Sequence, residues 1–216
     1  MDISRIERLQ IGVLLIDVQP TFLDWAFPDQ NEERESLLVR YEHLLMLSDW
    51  MDLPLVATFE KPIQNGELPE RLEAVFPAEG QRFEKNYFGC MTEPEIASAI
   101  KELPIKQIAV AGAETDVCVM QSVLGLLQAG YQVFLLEDCL FTSESHPAPA
   151  LRRMYQAGAI PCTLKTMAYE LSKCVDETPY SPEAWEMKAL KKHPDTKPFP
   201  KNFIPPEKWP VWIPKL

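Results

Sequence analysis

Residues 107–133 of the 216-residue chain read QIAVAGAETDVCVMQSVLGLLQAGYQV. Small and β-branched residues continue as far as Gly112, a pattern that is typical of a strand buried on both faces. A short, more polar stretch then leads to Cys118, where an apolar helical pattern begins and continues to Gly130. The stretch therefore predicts a strand, a tight loop and a helix, with a thiol in the first turn of that helix.

The same alternation of strand and helix extends over most of the chain. The predicted strands are 12–19, 53–61, 81–87, 107–113, 131–138 and 160–166. The predicted helices are 35–51, 93–102, 117–129 and 145–157. Thr92 and Glu95 form a capping-box pattern at the start of the second helix, and Gly130 and Gly158 predict the ends of the last two. We expect an α/β fold: a three-layer α-β-α, Rossmann-like arrangement around a six-stranded, mainly parallel sheet.

Composition and charge exclude several classes of partner. The chain is 46% hydrophobic and 25% charged, which is an ordinary globular composition, and its formal net charge is −11. Nucleic acids and anionic membranes require a basic surface, so neither is expected as a partner. The apolar runs are too short to span a bilayer, and the first ten residues lack the basic flank and apolar core of a signal peptide. We therefore expect a cytoplasmic protein that acts on a small molecule.

The cysteines and histidines do not suggest a metal site. Five cysteines and three histidines are spread along the chain without a CxxC pair or a close histidine pair. Structural zinc sites usually draw their ligands from tight pairs. Most of these cysteines are expected to be small buried residues in a reducing compartment.

The last forty residues differ in composition from the rest. Nine of the twenty prolines follow Asp176, which excludes a regular helix or a central strand over most of this part. Residues 181–194 still predict a short helix, begun by Ser181 and Pro182. We therefore divide the chain into a domain at 1–175 and an extended, proline-rich C-terminal arm at 176–216. The arm is apolar enough to pack on the domain or across a subunit interface, which favours a homo-oligomer, a dimer or a tetramer.

Three ionisable residues fall at the carboxyl ends of predicted strands, where ligands bind in doubly wound sheets. Asp17 ends the first strand, Lys85 lies at the end of the third, and Cys118 follows the fourth. A helix N-terminus and a nearby cation both favour a thiolate at Cys118. Burial of Asp17 in an apolar run would raise its pKa and make it a useful base. The three residues together suit nucleophilic catalysis at a carbonyl.

The segments around these residues resemble the motifs of the isochorismatase-like cysteine hydrolases, which include nicotinamidases, N-carbamoyl amide hydrolases and ureidoacrylate amidohydrolases. LLIDVQPTF (14–22) is similar to the motif of the general base, FEKNYFGCM (83–91) to that of the catalytic lysine, and VAGAETDVCV (110–119) to that of the nucleophile. The resemblance extends from residue 11 to about 174. It implies a catalytic triad of Asp17, Lys85 and Cys118.

The resemblance also implies a cis peptide bond between Ala113 and Glu114. This bond would direct the amide of Glu114 toward the same point as that of Cys118, and the two would form an oxyanion hole. Four aromatic side chains flank the strand ends and are candidates for the substrate pocket, although each is equally compatible with an ordinary core position. They are Phe22, Trp25, Phe59 and Tyr87.

Departures from the family pattern narrow the reaction. Metal-binding nicotinamidases carry histidines after the second strand, but residues 57–80 contain none, so we expect no metal and no other cofactor. Retention of Cys118 favours hydrolysis of a C–N bond in a small amide or N-carbamoyl (ureido) compound. Gly89, Cys90 and Met91 replace the Ser-Ala-Phe that usually continues the lysine motif of the family, so the identity of the substrate is not determined. The alternatives are a vinyl-ether hydrolase of the isochorismatase type and a binding protein without catalysis.

Overall fold

The computed structural model of this protein describes residues 5–29 and 31–172. The strands are β1 Ile11–Ile16, β2 Leu55–Glu60, β3 Gln81–Lys85, β4 Gln107–Gly112, β5 Gln132–Leu140 and β6 Ile160–Cys162. The helices are α1 Pro20–Ala26, α2 Asn31–Trp50, α3 Pro62–Asn65, α4 Glu70–Glu73, α5 Pro94–Glu102, α6 Met120–Gln128, α7 Ala148–Gln156 and α8 Leu164–Ser172. A 3₁₀ turn at Cys90–Thr92 precedes α5, and a π-helical turn at Thr115–Val119 precedes α6.

All six strands form one sheet in the order β3-β2-β1-β4-β5-β6, and every pair is parallel. The expected α/β fold is thus confirmed, with a sheet that is entirely rather than mainly parallel. The strand order reverses between β1 and β4, where residues 11–16 pair with residues 107–112. The carboxyl ends of these two strands therefore frame the crevice in which doubly wound folds bind ligands.

Alternate residues of the strands support two separate hydrophobic cores. Val13 and Leu15 of β1 pack with α1, α2 and α8 on one face of the sheet. Leu14 and Ile16 of the same strand pack with α5, α6 and α7 on the other face. Because successive side chains of a strand point to opposite faces, a continuous apolar run is required where both faces are covered.

Several boundaries differ from the predicted ones. The strand predicted at 160–166 ends at Cys162, because Leu164, Met167 and Leu171 lie on one buried face of α8. The Thr163 hydroxyl caps that helix by accepting a hydrogen bond from the Thr166 amide. The sequence analysis predicts a strand as far as residue 166, although the apolar residues from Leu164 onward have helical spacing.

The predicted capping box at Thr92 is wrong. Thr92 lies in the 3₁₀ turn, and Pro94 occupies the first turn of α5, so the cap position falls on Glu93, which makes no side-chain capping bond. Proline favours the first turn of a helix because it has no amide hydrogen to leave unpaired. Gly130 and Gly158 do follow α6 and α7, and both have positive φ angles, at 90° and 112°. The glycine ends of these helices are confirmed.

The predicted helix at 181–194, the remainder of the C-terminal arm and Cys174 lie outside the described residues. The domain boundary at 175 therefore remains a prediction. Within the part of the chain that the structure describes, none of the helices has the length and apolar character needed to cross a membrane.

We predict that Gly112→Ala is much more destabilising than Gly130→Ala. Both glycines have positive φ angles, but a Cβ atom at Gly112 would lie 1.9 Å from the carbonyl oxygen of Ile16, whereas one at Gly130 would have nothing within 4 Å. Gly130→Ala should cost about 1–2 kcal/mol for the left-handed backbone alone. Gly112→Ala should cost about 3–5 kcal/mol or abolish folding. Urea unfolding of both variants measures the difference, and equal losses would contradict the close approach of β1 and β4.

A second prediction concerns pH. Burial within α2 lowers the pKa of His43 from its ordinary value of 6.5 to about 4. Between these two values the unfolded chain binds more protons than the folded one, so stability falls as the pH drops from about 7 to about 4. The expected loss from this residue is about 3 kcal/mol. His43→Gln cannot take up this proton, so the pH dependence of its unfolding free energy should be smaller; an unchanged dependence would contradict the assignment.

Candidate active site

Asp17 directly follows β1 and is fully buried. Its backbone has a positive φ angle of 49°, which turns the chain out of the strand. The Asp17 amide donates to the Thr58 carbonyl at 3.1 Å, and the Thr58 hydroxyl donates to Asp17 Oδ1 at 2.9 Å. The neighbouring strand β2 therefore holds both the backbone and the carboxylate of this residue.

Lys85 is the last residue of β3 and is also fully buried. Its Nζ lies 2.7 Å from Asp17 Oδ2, although β3 and β1 are separated by β2. The long lysine side chain thus crosses the end of β2 to reach the switch point. A buried ion pair of this kind depends on both partners, since either charge alone would be strongly unfavourable in the protein interior.

Cys118 completes the group from the other side of the switch point. It lies in the π-helical turn that connects β4 to α6, where the Val119 amide donates to the Glu114 carbonyl at 3.1 Å. Its Sγ lies 3.4 Å from Lys85 Nζ, within hydrogen-bonding distance for sulfur. Such π-helical turns are frequent at functional sites, because they displace one residue from the regular helix. The structure therefore brings together all three residues of the expected triad.

The loop that carries the thiol is fixed to the end of β5. The peptide bond between Ala113 and Glu114 is cis, as the resemblance implies. The amide and the hydroxyl of Thr115 both donate to the Phe141 carbonyl, each at 3.1 Å. The amide and hydroxyl of Ser143 donate to the carboxylate of Glu114, at 3.0 and 2.5 Å. These bonds hold the backbone of the loop in one orientation.

Glu60 belongs to the same group, although the sequence analysis did not select it. It ends β2, and its Oε2 lies 3.7 Å from Cys118 Sγ and 3.6 Å from Lys85 Nζ. A carboxylate at the end of a predicted strand is the feature by which Asp17 was identified. The same feature in residues 53–61 was available to find Glu60.

Gln19, the glutamine of the Asp-x-Gln motif, holds the backbone of Glu60. Its Oε1 accepts a hydrogen bond from the Glu60 amide at 2.8 Å, and its Nε2 donates to the Glu60 carbonyl at 3.1 Å. The same Nε2 donates to the Gly66 carbonyl at 2.6 Å, and Asn65 Nδ2 donates to the Glu60 carbonyl at 2.8 Å. The turn after β1 thereby fixes the position of residue 60 at the end of β2.

The electrostatic environment favours a charged Asp17–Lys85 pair. Burial raises the pKa of Asp17 above its usual range, and the nearby charge of Lys85 opposes this effect only in part. Burial alone would lower the pKa of Lys85, but the charge of Asp17 and the proximity of Cys118 raise it above its ordinary value. Lys85 therefore stays an ammonium group, and Asp17 is a stronger base than an exposed carboxylate, as the sequence predicted.

The expected stabilisation of a resting thiolate is wrong. Burial and the negative charge of Asp17 raise the pKa of Cys118 above its ordinary value, and Lys85 lowers it by less. The thiol is only 4% exposed, so the loss of solvation outweighs the nearby cation. The raised pKa favours the protonated form of Cys118, so loss of the proton calls for an acceptor such as Asp17.

The same donors have a spacing that a metal ion could use. One oxygen of Asp17, one of Glu60 and the sulfur of Cys118 lie within 4.8 Å of one another. The ammonium of Lys85 lies 2.7, 3.6 and 3.4 Å from these three groups. A divalent cation at their centre would meet this ammonium at close range, so these donors fit the lysine better than a metal.

The four aromatic candidates do not form one cluster. Phe22 and Phe59 are buried in the core on the α1 and α2 face. Trp25 and Tyr87 are exposed, at 58% and 54%. Phe22 contacts Trp25 edge to face, with ring centroids 5.6 Å apart. A surface groove beside β3 includes Phe59 but none of Asp17, Lys85 or Cys118; its lining residues are Phe59, Pro62, Glu67, Glu73, Arg82, Phe83 and Glu84.

Sequence comparison identifies proteins that are similar to this chain. The family model described as "Isochorismatase domain" matches residues 12–166. Isochorismatase family protein 1A of Dictyostelium discoideum is 28% identical over 166 residues, which cover 74% of this chain and 78% of that protein. The probable hydrolase YcaC of Escherichia coli (strain K12) is 28% identical over 172 residues, which cover 78% of this chain and 81% of that protein.

Structure comparison finds the same fold. The YcaC gene product of Escherichia coli, described as an octameric hydrolase of unknown specificity, superposes with a TM-score of 0.75 at 26% identity, covering 90% of this chain and 94% of that chain. The MAR1 ribonuclease of Caenorhabditis elegans superposes with a TM-score of 0.71 at 20% identity, covering 94% of this chain and 98% of that chain. The latter likeness shows the fold alone.

We predict strong coupling between Asp17 and Lys85. Asp17→Asn or Lys85→Met should each cost about 3–5 kcal/mol of unfolding free energy, because each leaves a buried charge without its partner. The double variant should lose much less than the sum. As a control, the exposed pair Arg82 and Glu73, with atoms 2.6 Å apart, should couple by less than about 1 kcal/mol. Urea unfolding measures both cycles, and additive losses at Asp17 and Lys85 would contradict the prediction.

Proposed function

Because the chain belongs to the isochorismatase family, and its relative YcaC is described as a probable hydrolase, we propose that it cleaves a C–N bond through Cys118. The substrate is a small amide or N-carbamoyl (ureido) compound, and the intermediate is a thioester. One observation carries the proposal: a buried thiol lies 3.4 Å from an ammonium group that itself lies 2.7 Å from a buried carboxylate. This set contains a nucleophile, a base and a group that stabilises negative charge.

The first half of the reaction transfers the acyl group to sulfur. Asp17 takes the proton of the Cys118 thiol while the sulfur forms a bond to the substrate carbonyl carbon. The raised pKa of the thiol supports this order, because a free thiolate is unfavourable until the proton has an acceptor. Lys85 keeps its proton and offsets the negative charge that moves between carboxylate and sulfur. Asp17 then gives the proton to the nitrogen as the C–N bond breaks.

The second half of the reaction releases the acid. Water attacks the thioester carbonyl, Asp17 accepts one proton from it, and the C–S bond breaks. The proton returns from Asp17 to the sulfur, so the site regains its resting state with a neutral thiol and an Asp17–Lys85 ion pair. One water is consumed, and an acid and an amine or ammonia leave.

The backbone amides of Glu114 and Cys118 are the proposed oxyanion hole. The hydrogen bonds from Thr115 to the Phe141 carbonyl and from Ser143 to the Glu114 carboxylate support a fixed geometry for this loop. In a well-studied protease, one such donor contributes about 2.7–4 kcal/mol to transition-state stabilisation. No metal or other cofactor has a part in this scheme.

The substrate pocket and the assembly belong to the same proposal. Phe22, Trp25, Phe59 and Tyr87 are the proposed aromatic contacts, with Trp25 and Tyr87 the most accessible of the four. We also propose a homo-oligomer, because the YcaC relative is described as octameric. The exposed apolar side chains of Ile63 and Phe88, which follow β2 and β3, support an interface near these strand ends.

We predict that Cys118→Ala abolishes amide hydrolysis. A screen of small primary amides and N-carbamoyl compounds should yield ammonia or amine release in the wild type, with an acyl adduct on Cys118 in the intact mass. Removal of the nucleophile should lower kcat/KM by at least about 10³-fold. Cys162→Ala, a change of a thiol at the end of β6, should leave turnover close to that of the wild type.

Measurements on the wild type and on Cys118→Ala also distinguish amide hydrolysis from the two alternatives, vinyl-ether hydrolysis and binding without catalysis. Hydrolysis of a vinyl ether that survives Cys118→Ala would favour a reaction without a nucleophile. Binding of a small molecule without turnover or adduct would favour a binding protein. Turnover of an amide at the wild-type rate in Cys118→Ala would contradict the proposed mechanism.

A further inference from the structure

Glu60 differs from the other charged groups of the site in its position relative to solvent. The side chains of Asp17 and Lys85 are fully buried, whereas that of Glu60 is 21% exposed. Its Oε2 nevertheless lies 3.7 Å from Cys118 Sγ. Glu60 is therefore the carboxylate on the solvent side of the nucleophile.

The backbone that carries this carboxylate is held in place by the fold. Gln19 pairs with both the amide and the carbonyl of Glu60, and Asn65 donates to the same carbonyl. Both polar backbone groups of Glu60 are thus paired with amide side chains, so residue 60 is not part of a free loop. A charged side chain on such a support has a defined place beside the thiol.

The geometry places Glu60 next to the substituents of an attacked carbonyl. A carbonyl carbon in position for attack lies roughly 3–3.5 Å from the sulfur. The substrate nitrogen is bonded to this carbon at about 1.33 Å, so in the orientation that turns the nitrogen toward Glu60 its N–H group comes within hydrogen-bonding reach of Oε2. A carboxylate accepts hydrogen bonds and donates none.

The charge balance indicates which substrates this arrangement favours. Among the residues that the structure describes at this site, two carboxylates, Asp17 and Glu60, lie near one ammonium group, that of Lys85. An anionic group beside the scissile bond would meet an uncompensated carboxylate, which is repulsive at short range. A neutral or cationic N–H donor would instead form a charge-assisted hydrogen bond.

On the basis of the proposed function, we propose that Glu60 determines specificity: its carboxylate accepts a hydrogen bond from the N–H group beside the scissile carbonyl and excludes substrates with an anionic group there. Primary amides, ureido compounds and cationic amides are the favoured class. Acids with a carboxylate next to the reacting carbon are the disfavoured class. Gln19 holds the backbone of residue 60 in place.

Two alkylating reagents of similar size test the inference without a known substrate. Iodoacetamide carries a neutral amide and iodoacetate carries a carboxylate, and both modify a thiol. The rates at Cys118 are measured by peptide mass spectrometry, and their ratio is divided by the ratio for N-acetylcysteine in the same buffer. The wild type should prefer iodoacetamide by at least about tenfold over the intrinsic ratio.

Glu60→Gln, which removes the charge and keeps the shape, should reduce this preference at least about fivefold, mainly through faster reaction with iodoacetate. Glu60→Asp retains the charge and should retain most of the preference, which also controls for loss of folding. Glu84→Gln removes an exposed carboxylate one residue from Lys85 and should leave the ratio unchanged.

Other outcomes overturn the inference. An unchanged ratio in Glu60→Gln, or an equal loss of both rates, means that Glu60 has only a structural role. Labelling of wild-type Cys118 at the intrinsic ratio overturns the inference and leaves the proposed nucleophile intact. Failure of both reagents to label Cys118 overturns the inference together with the proposed function, because the thiol is then beyond reach of small electrophiles.

Discussion

The ammonium of Lys85 holds together groups that would otherwise repel one another. It contacts the carboxylates of Asp17 and Glu60 and the sulfur of Cys118, which come from three different strand ends. Without this cation, two carboxylates would lie together in or near a desolvated environment, which is strongly unfavourable. The convergence of β1, β2 and the loop after β4 at one point therefore depends on a lysine from β3, an edge strand of the described sheet.

The same interaction decides the chemical state of the thiol. Lys85 lies close enough to stabilise a negative charge on sulfur, but burial and Asp17 together outweigh it in the resting site. In the proposed mechanism, the thiol of Cys118 therefore keeps its proton, and the carboxylate of Asp17 stays free to accept it, until a substrate binds.

The fold was predictable because most of its signals are local. The continuous apolar run of β1 requires cover on both faces, and Gly130 and Gly158 end the helices that precede β5 and β6. Asp17, Lys85 and Cys118 were identified from strand ends and motif resemblance. Helix α8 was missed because Ile160, Cys162 and Leu164 occupy alternate positions, so a strand-like pattern overlaps the start of the helix.

Glu60 and the state of the thiol depend on information that is not local. The contact of Glu60 with Cys118 depends on the strand order, which places β2 beside β1 and brings its end to the switch point. The pKa of Cys118 depends on how much solvent the surrounding elements remove, and a sequence shows neighbours along the chain but not the depth of burial. The helix N-terminus and the nearby cation, from which the sequence analysis expects a thiolate, therefore gave the wrong direction for the pKa of this group.

The hydrogen bonds between Gln19 and Glu60 have a consequence for how such a site can change. They involve only the amide and the carbonyl of residue 60, so the support is indifferent to the side chain that this residue carries. A replacement there would inherit the same place beside the nucleophile while the scaffold and the reacting groups stayed as they are. In the proposed mechanism, the reacting groups and the residue that recognises substrate charge are therefore separate, and a change at one codon would alter that preference.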